Sequence, residues 1–196
     1  MNEQVMTDLE LSTLLEAILM ASEVPLSLRE ILAILEEETY AESEIIRALF
    51  ELEAKYRKAA GGIELVEVAS GWRFQVPERF SAWVGKLFEA RQQRYSTAFF
   101  ETLALIAYQQ PVTRGDIEAV RGVAVSGNII KTLEDREWIK VVGRKEVPGR
   151  PMLYATTEQF LDDLNLKSLK ELPALPELEA LFSEVTETEE TPQLTI

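Results

Sequence analysis

The chain carries one local pattern twice, and the second copy follows the first at an almost constant spacing. Glu16 answers to Glu101 at an offset of 85 residues. Pro25 answers to Pro111, Ser27 to Thr113, Glu30 to Asp116 and Ile31 to Ile117, all at an offset of 86. One inserted residue therefore aligns two copies of a helix, an X-Pro turn and a capped second helix. Chance matching of short apolar helices is the competing account. A repeat of this period, in a chain of 196 residues, favours two small units of roughly 80 residues over one large core.

Each copy reads through to the same end. Leu11, Leu14, Leu15, Ile18 and Leu19 recur at helical spacing until Val24-Pro25, where the residue before proline leaves the helical region. Ser27-Leu28-Arg29-Glu30 has capping-box form and opens a second helix with Ile31, Ile34 and Leu35. A third helix is expected from about residue 41 to 58, carrying Ile45, Leu49, Leu52 and Tyr56, with Gly61-Gly62 as its stop. Ile63 and Leu65, then Trp72, Phe74 and Val76, alternate with polar residues around Ala69-Ser70-Gly71, so a hairpin follows. A short helix over about 78–90 is expected to close the unit.

In the second copy Phe99, Phe100, Leu103 and Ile106 form the first stripe, which ends before Gln110-Pro111. Thr113-Arg114-Gly115-Asp116 caps a short helix holding Ile117 and Val120. A third helix over about 125–137 carries Ile129, Ile130 and Leu133. Ile139 to Val142 reads as a strand, residues 143–151 as an extended loop, and Met152-Leu153-Tyr154 as the return strand. A last helix spans roughly 157–164. Three helices and a two-stranded wing, twice over, define a mainly α chain with small β-hairpin wings: two tandem winged-helix (helix-turn-helix) domains. The expected division is 1–90, 91–170 and an acidic, disordered or partner-ordered tail over 171–196, entered through the proline-punctuated stretch Leu172 to Pro176.

Charge separates the parts. Residues 1–90 hold 8 basic and 17 acidic side chains, residues 91–156 hold 10 and 7, and residues 157–196 hold 2 and 10. The whole chain is at −14, so only the middle block offers attraction to an anionic partner. Even there the third helix sets Glu134, Asp135 and Glu137 beside Ser126, Asn128, Lys131 and Arg136, a poor face for a phosphate backbone. The chain contains neither cysteine nor histidine, which excludes thiol and imidazole nucleophiles, the Ser-His-Asp relay and zinc sites built on those ligands. No carboxylate dyad, metal loop or Gly-rich phosphate loop stands out, and no cofactor is expected. No apolar run reaches the roughly 18 residues of a membrane span, and the N-terminus lacks the basic and apolar regions of an export signal, so the cytoplasm is the expected compartment.

The second wing, Gly143-Arg144-Lys145-Glu146-Val147-Pro148-Gly149-Arg150-Pro151, is the most distinctive stretch. Its glycines and prolines fix the backbone. Two readings are open: a preshaped ridge offering Arg144 and Arg150 to a carboxylate-bearing partner, or a rigid wing whose arginines pair with the domain's own acids. Trp72, Trp83 and Trp138 are expected as core or domain-contact anchors. The stripe of the first helix is broad, because Leu9 and Met20 add to Leu11, Leu15, Ile18 and Leu19. The excess apolar surface suggests a dimer seam at Leu11, Leu15, Ile18 and Leu19, with use by the domain's own core as the alternative.

Glu101-Thr102-Leu103-Ala104-Leu105-Ile106-Ala107-Tyr108-Gln109-Gln110-Pro111-Val112-Thr113-Arg114, then Ile117-Glu118-Ala119-Val120-Arg121-Gly122-Val123, and above all Val141 through the wing to Leu153-Tyr154, resemble the bacterial segregation and condensation protein B family. The resemblance covers about residues 11–175 and is strongest over 99–169. It implies a non-catalytic subunit that dimerises mainly through its N-terminal domain. The implied partner is a kleisin, segregation and condensation protein A (ScpA), and through it an Smc ATPase in a complex that condenses and partitions the chromosome. By motif position it points to Tyr108, Arg121, Arg144, Arg150 and Tyr154 as kleisin contacts. The expected location is then cytoplasmic and nucleoid-associated through the complex, with little direct DNA binding and no membrane contact. Where relatives usually carry Arg-Gly and an aliphatic residue before the strand, this chain has Asp135-Arg136-Glu137-Trp138, which removes a glycine C-cap. A tandem winged-helix transcriptional regulator is the alternative from another class, separable by the steep salt dependence of phosphate contacts.

Overall fold

A computed structural model describes residues 8–35, 40–87 and 95–173. The chain runs α1 (Asp8–Ala21), α2 (Leu28–Ile34), α3 (Glu42–Ala59), β1 (Glu64–Val68) and β2 (Gly71–Gln75). A broken turn of helix follows, with α4 (Ser81–Val84) between two 3-10 turns, where the sequence suggested one helix to residue 90. Residues 88–90 of that expectation lie outside the described residues. The second half runs α5 (Thr97–Gln109), β3 (Val112–Thr113), α6 (Arg114–Arg121), α7 (Gly127–Asp135), β4 (Ile139–Arg144), β5 (Met152–Thr156), α8 (Glu158–Asp163) and a 3-10 turn, Leu169–Glu171. The fold is mainly α with two small antiparallel sheets, as the patterning predicts.

The caps form as their residue types dictate. Ser27 and Thr113 each accept from the backbone three residues on, while Glu30 and Asp116 reach back to the cap N–H, completing two capping boxes at matched positions. The stop of α3 differs from expectation. The left-handed residue is Ala60 (φ 48°), not Gly61 or Gly62. Arg79 donates to the carbonyls of Ala60 and Gly61 at 3.0 and 2.7 Å, meeting oxygens that the helix end leaves without a partner.

Two separate apolar clusters hold the halves. The first gathers Leu11, Leu15, Leu19, Ile31, Ile45, Leu49 and Leu52 with Leu65 and Trp72 from the hairpin. The second gathers Phe99, Leu103, Ile106, Ile117, Ile130 and Leu133 with Ile139, Tyr154 and Phe160. Each fully buried Leu, Ile or Phe contributes about 1.5–3 kcal/mol, so each half has an apolar cluster of its own as the main favourable contribution to its folding. Trp72 lies in the first cluster and Trp138 packs against the second, but Trp83 is 65% exposed and anchors neither.

The wings are built alike with one difference that the sequence reading missed. In the first, β1 and β2 pair in register, Leu65 opposite Phe74 and Val66 opposite Arg73, and Leu26 adds a single bridge to Trp72. In the second, the matching position, Val112, extends into strand β3, giving a three-stranded sheet in the order β3-β5-β4. Two residues are too short a run for alternation to reveal.

A polar contact joins the first wing to the end of the second half. Buried Asp162 on α8 accepts from the Ser70 N–H at 3.0 Å and the Ser70 hydroxyl at 2.5 Å. Arg73 donates to the Asp162 carbonyl (2.8 Å) and to the Asn165 side chain (2.9 Å), and Lys167 pairs with Glu67.

Candidate partner-binding surface

The second wing is rigid by construction. Its loop folds on backbone bonds of 2.9 Å from Lys145 N–H to Pro151, Val147 N–H to Lys145 and Arg150 N–H to Val147. Gly149 (φ 84°) and Arg150 (φ 40°) take left-handed conformations that turn the chain back. Lys145 then ties the loop to α6 through Asp116, at 2.8 and 3.2 Å. That ammonium, together with the Thr113 cap bonds, holds the Asp116 carboxyl down to about 2 from 3.8. The pair with the domain's own acids, which one of the two open readings gave to the arginines, is made by Lys145 instead. Arg144 donates to the Arg150 carbonyl at 3.2 Å, and among the described residues no acid pairs with either guanidinium.

A register shift between Val141 and Gly143 shapes the strand beneath. Val142 is the extra residue, so Val141 and Val142 both face water where strict alternation would hide one. Val147 in the loop and Met152, paired with Arg144 across the strands, are exposed as well. The wing therefore exposes both valines and methionine along its strands and arginines at its tip, on a hydrogen-bonded scaffold.

The other expected contacts go elsewhere. Arg121 donates to Glu101 through Nε (3.0 Å) and Nη2 (2.9 Å), with its side chain 9% exposed, and so braces α6 against α5. Glu16, the repeat counterpart of Glu101, braces α1 against α3 by accepting from Lys55 (2.7 Å) and Tyr56 (2.8 Å). The matched positions of Glu16 and Glu101 were the signal for that role. Tyr154 lies in the second core, its hydroxyl against the Met152 sulfur at 3.7 Å, and burial raises its pKa. Tyr108 lies half-buried in a separate groove and donates to the Pro173 carbonyl. Only Arg144 and Arg150 share the ridge.

Three of the four expected dimer residues are buried within the protomer. Leu11, Leu15 and Leu19 complete the protomer's own core, and Leu15 is 0% exposed. A side chain already out of water has no area left to bury against a second copy. Ile18 alone of the four keeps some exposure. Met20 of the same stripe is exposed, and so are two residues the sequence reading did not assign to the seam, Val24 just after α1 and Ile34 on α2.

The α7 surface is mixed in charge, with Lys131 exposed beside Glu134 and Asp135. Among the described residues no cluster of three or more acidic side chains is arranged to hold a metal ion, and no helix is long and apolar enough to cross a membrane.

Comparison with known proteins gives a consistent result. Residues 13–175 match the family described as segregation and condensation complex subunit ScpB. The segregation and condensation protein B homolog of Coxiella burnetii (strain RSA 493 / Nine Mile phase I) is 50% identical over 165 residues, 84% of this chain and 78% of that protein. Segregation and condensation protein B of Syntrophotalea carbinolica is 40% identical over 164 residues, 84% of this chain and 81% of that protein. A solved dimer of an ScpB N-terminal domain complexed with an ScpA peptide is 30% identical, covering 39% of this chain and 88% of that one, with a TM-score of 0.35.

Proposed function

We propose, from the premise that the chain belongs to the segregation and condensation complex subunit ScpB family, that it is a non-catalytic scaffold which binds the kleisin ScpA as a homodimer. Through ScpA it joins an Smc ATPase in condensing and partitioning the chromosome, in the cytoplasm and on the nucleoid. The family match over residues 13–175 carries this reading. The ridge of the second wing supports it, because cationic and apolar side chains on a preformed surface suit an acidic, apolar segment of a partner protein. The absence of cysteine and histidine from the sequence argues for a non-catalytic role.

Within that reading, residues 1–90 dimerise and residues 91–170 bind ScpA, with Arg144 and Arg150 as the contacts. The dimer seam falls to Ile18, Met20, Val24 and Ile34, which retain apolar surface. The acids of α7 disfavour DNA as the direct ligand. Light scattering after size exclusion tests the core of this reading. The chain alone should run at twice 22.2 kDa and shift to a larger mass with ScpA of the same organism. A monomer, or a dimer that ignores ScpA, would overturn it.

A further inference from the structure

The two cap acids of the repeat, Glu30 and Asp116, share one task and differ in a second. Each accepts from the N–H of its own cap residue, Glu30 from Ser27 at 2.8 Å and Asp116 from Thr113 at 2.9 Å. The first wing turns at Ala69-Ser70, which carries no cation, and Asp162 holds that turn through Ser70. The second wing is longer and brings a lysine back to its own cap acid. Lys145 Nζ lies 2.8 Å from Asp116 Oδ1 and 3.2 Å from Oδ2.

An exposed ion pair usually contributes little, because two long side chains must be ordered to make it. Here both ends are largely ordered beforehand. The Thr113 N–H and hydroxyl hold the Asp116 carboxylate at 2.9 and 2.8 Å as part of the cap. The Lys145 backbone is held too, since its N–H donates to the Pro151 carbonyl and its carbonyl accepts from the Val147 N–H. The bond to Pro151 continues the β4–β5 register one step past Arg144 opposite Met152. Successive side chains of a strand leave on opposite faces, so Lys145 turned toward α6 sets Arg144 on the other side. Arg144 in turn donates to the Arg150 carbonyl at 3.2 Å. Bonds within the loop fix its shape, and the pair with Asp116 ties that shape to α6.

We propose that Asp116 is a positioning residue for the ScpA contacts of the second wing. Through Lys145 it holds the loop 145–151 in one place against α6, so that Arg144 and Arg150 meet the partner from a single bearing. The proposal rests on the reading of those two arginines as ScpA contacts, and adds to it a residue that touches no partner. Without the anchor, binding must also order the loop, a cost of about three- to tenfold in affinity.

The chain has no cysteine, so nitroxide labels can be placed at Glu146→Cys and Ala119→Cys alone, both exposed positions. Their distance distribution should be single and narrow in the parent. Lys145→Met should broaden it, as should Asp116→Asn, which keeps a cap acceptor. Lys145→Arg, which can still reach the carboxylate, should restore it. In unlabelled protein, affinity for ScpA of the same organism should fall about three- to tenfold in Lys145→Met and Asp116→Asn and return in Lys145→Arg. A narrow distribution in Lys145→Met would overturn the proposal, since the wing would then be placed without the anchor. So would a broadened wing with parent affinity, in a protein whose Arg144→Glu/Arg150→Glu variant binds ScpA less well. Parent affinity in Arg144→Glu/Arg150→Glu itself would overturn the reading of the arginines, and the proposal with it.

Discussion

At the scale of single residues, two helix ends place non-glycine residues in the left-handed conformation. Ala60 (φ 48°) ends α3 and Glu137 (φ 57°) follows α7. Glu137 stands where the resembled family usually has glycine, and the backbone keeps the glycine geometry. A Cβ there costs on the order of 1 kcal/mol, part of which glycine returns to unfolded-chain entropy. Ala60→Gly and Glu137→Gly should each stabilise the fold by about 0.5–1 kcal/mol, read as a higher Tm, and an unchanged or lower Tm would contradict the assignment. Gly71 is the converse case: at φ 143° an added Cβ would fall 2.2 Å from the Leu26 carbonyl oxygen, where the first wing meets its bridge. Asp116 sets a pH dependence. Its pKa is depressed to about 2 in the fold and recovers to 3.8 on unfolding, so between these values the unfolded chain binds more protons. Stability from this group is complete above pH 3.8 and is lost as the pH falls toward 2. Urea midpoints measured across that window should fall less steeply for Asp116→Asn than for the parent.

At the scale of elements, α1 and the second wing carry the proposed dimer and ScpA contacts. Leu15→Asp should unfold the N-terminal half, whereas Met20→Asp should leave it folded and convert a dimer to a monomer. Circular dichroism with light scattering separates the two outcomes, and a folded dimeric Met20→Asp would move the seam elsewhere. On the wing, Arg144→Glu/Arg150→Glu removes two guanidiniums that no described acid holds, so the fold should persist. ScpA affinity should drop about tenfold or more, the scale of one lost charge-assisted hydrogen bond. Titration calorimetry showing unchanged affinity would leave the wing a structural element only. Helices and caps were legible here because spacing and cap chemistry are local. The slip at Val142 and strand β3 were not, because a bulge and a two-residue strand are settled by the partner strand rather than by their own pattern.

At the scale of the molecule, the two cores are coupled through few groups. Ser70, Arg73 and Glu67 on the first wing meet Asp162, Asn165 and Lys167 after the second. Arg73 Nε is buried there without a hydrogen-bond partner, a desolvation cost set against the bonds its other nitrogen makes. Asp162→Ala would leave the Ser70 N–H and hydroxyl without their acceptor, at a cost of about 1–3 kcal/mol. Both halves should stay folded while their separation broadens, which spin-label distances between them would report; an unchanged distribution would show that the contact does not fix the arrangement. The sequence by itself determined the repeat, the fold class, the capped helices and the family, because periodicity, cap residues and motif order are written within a few neighbouring positions. Only the tertiary structure decided that Arg121 and Tyr154 serve the protomer, that Leu11, Leu15 and Leu19 are core, and that Ser70 meets Asp162 across 92 residues of chain. A helical stripe says which face leaves water, but what that face meets depends on long-range packing that no local pattern records.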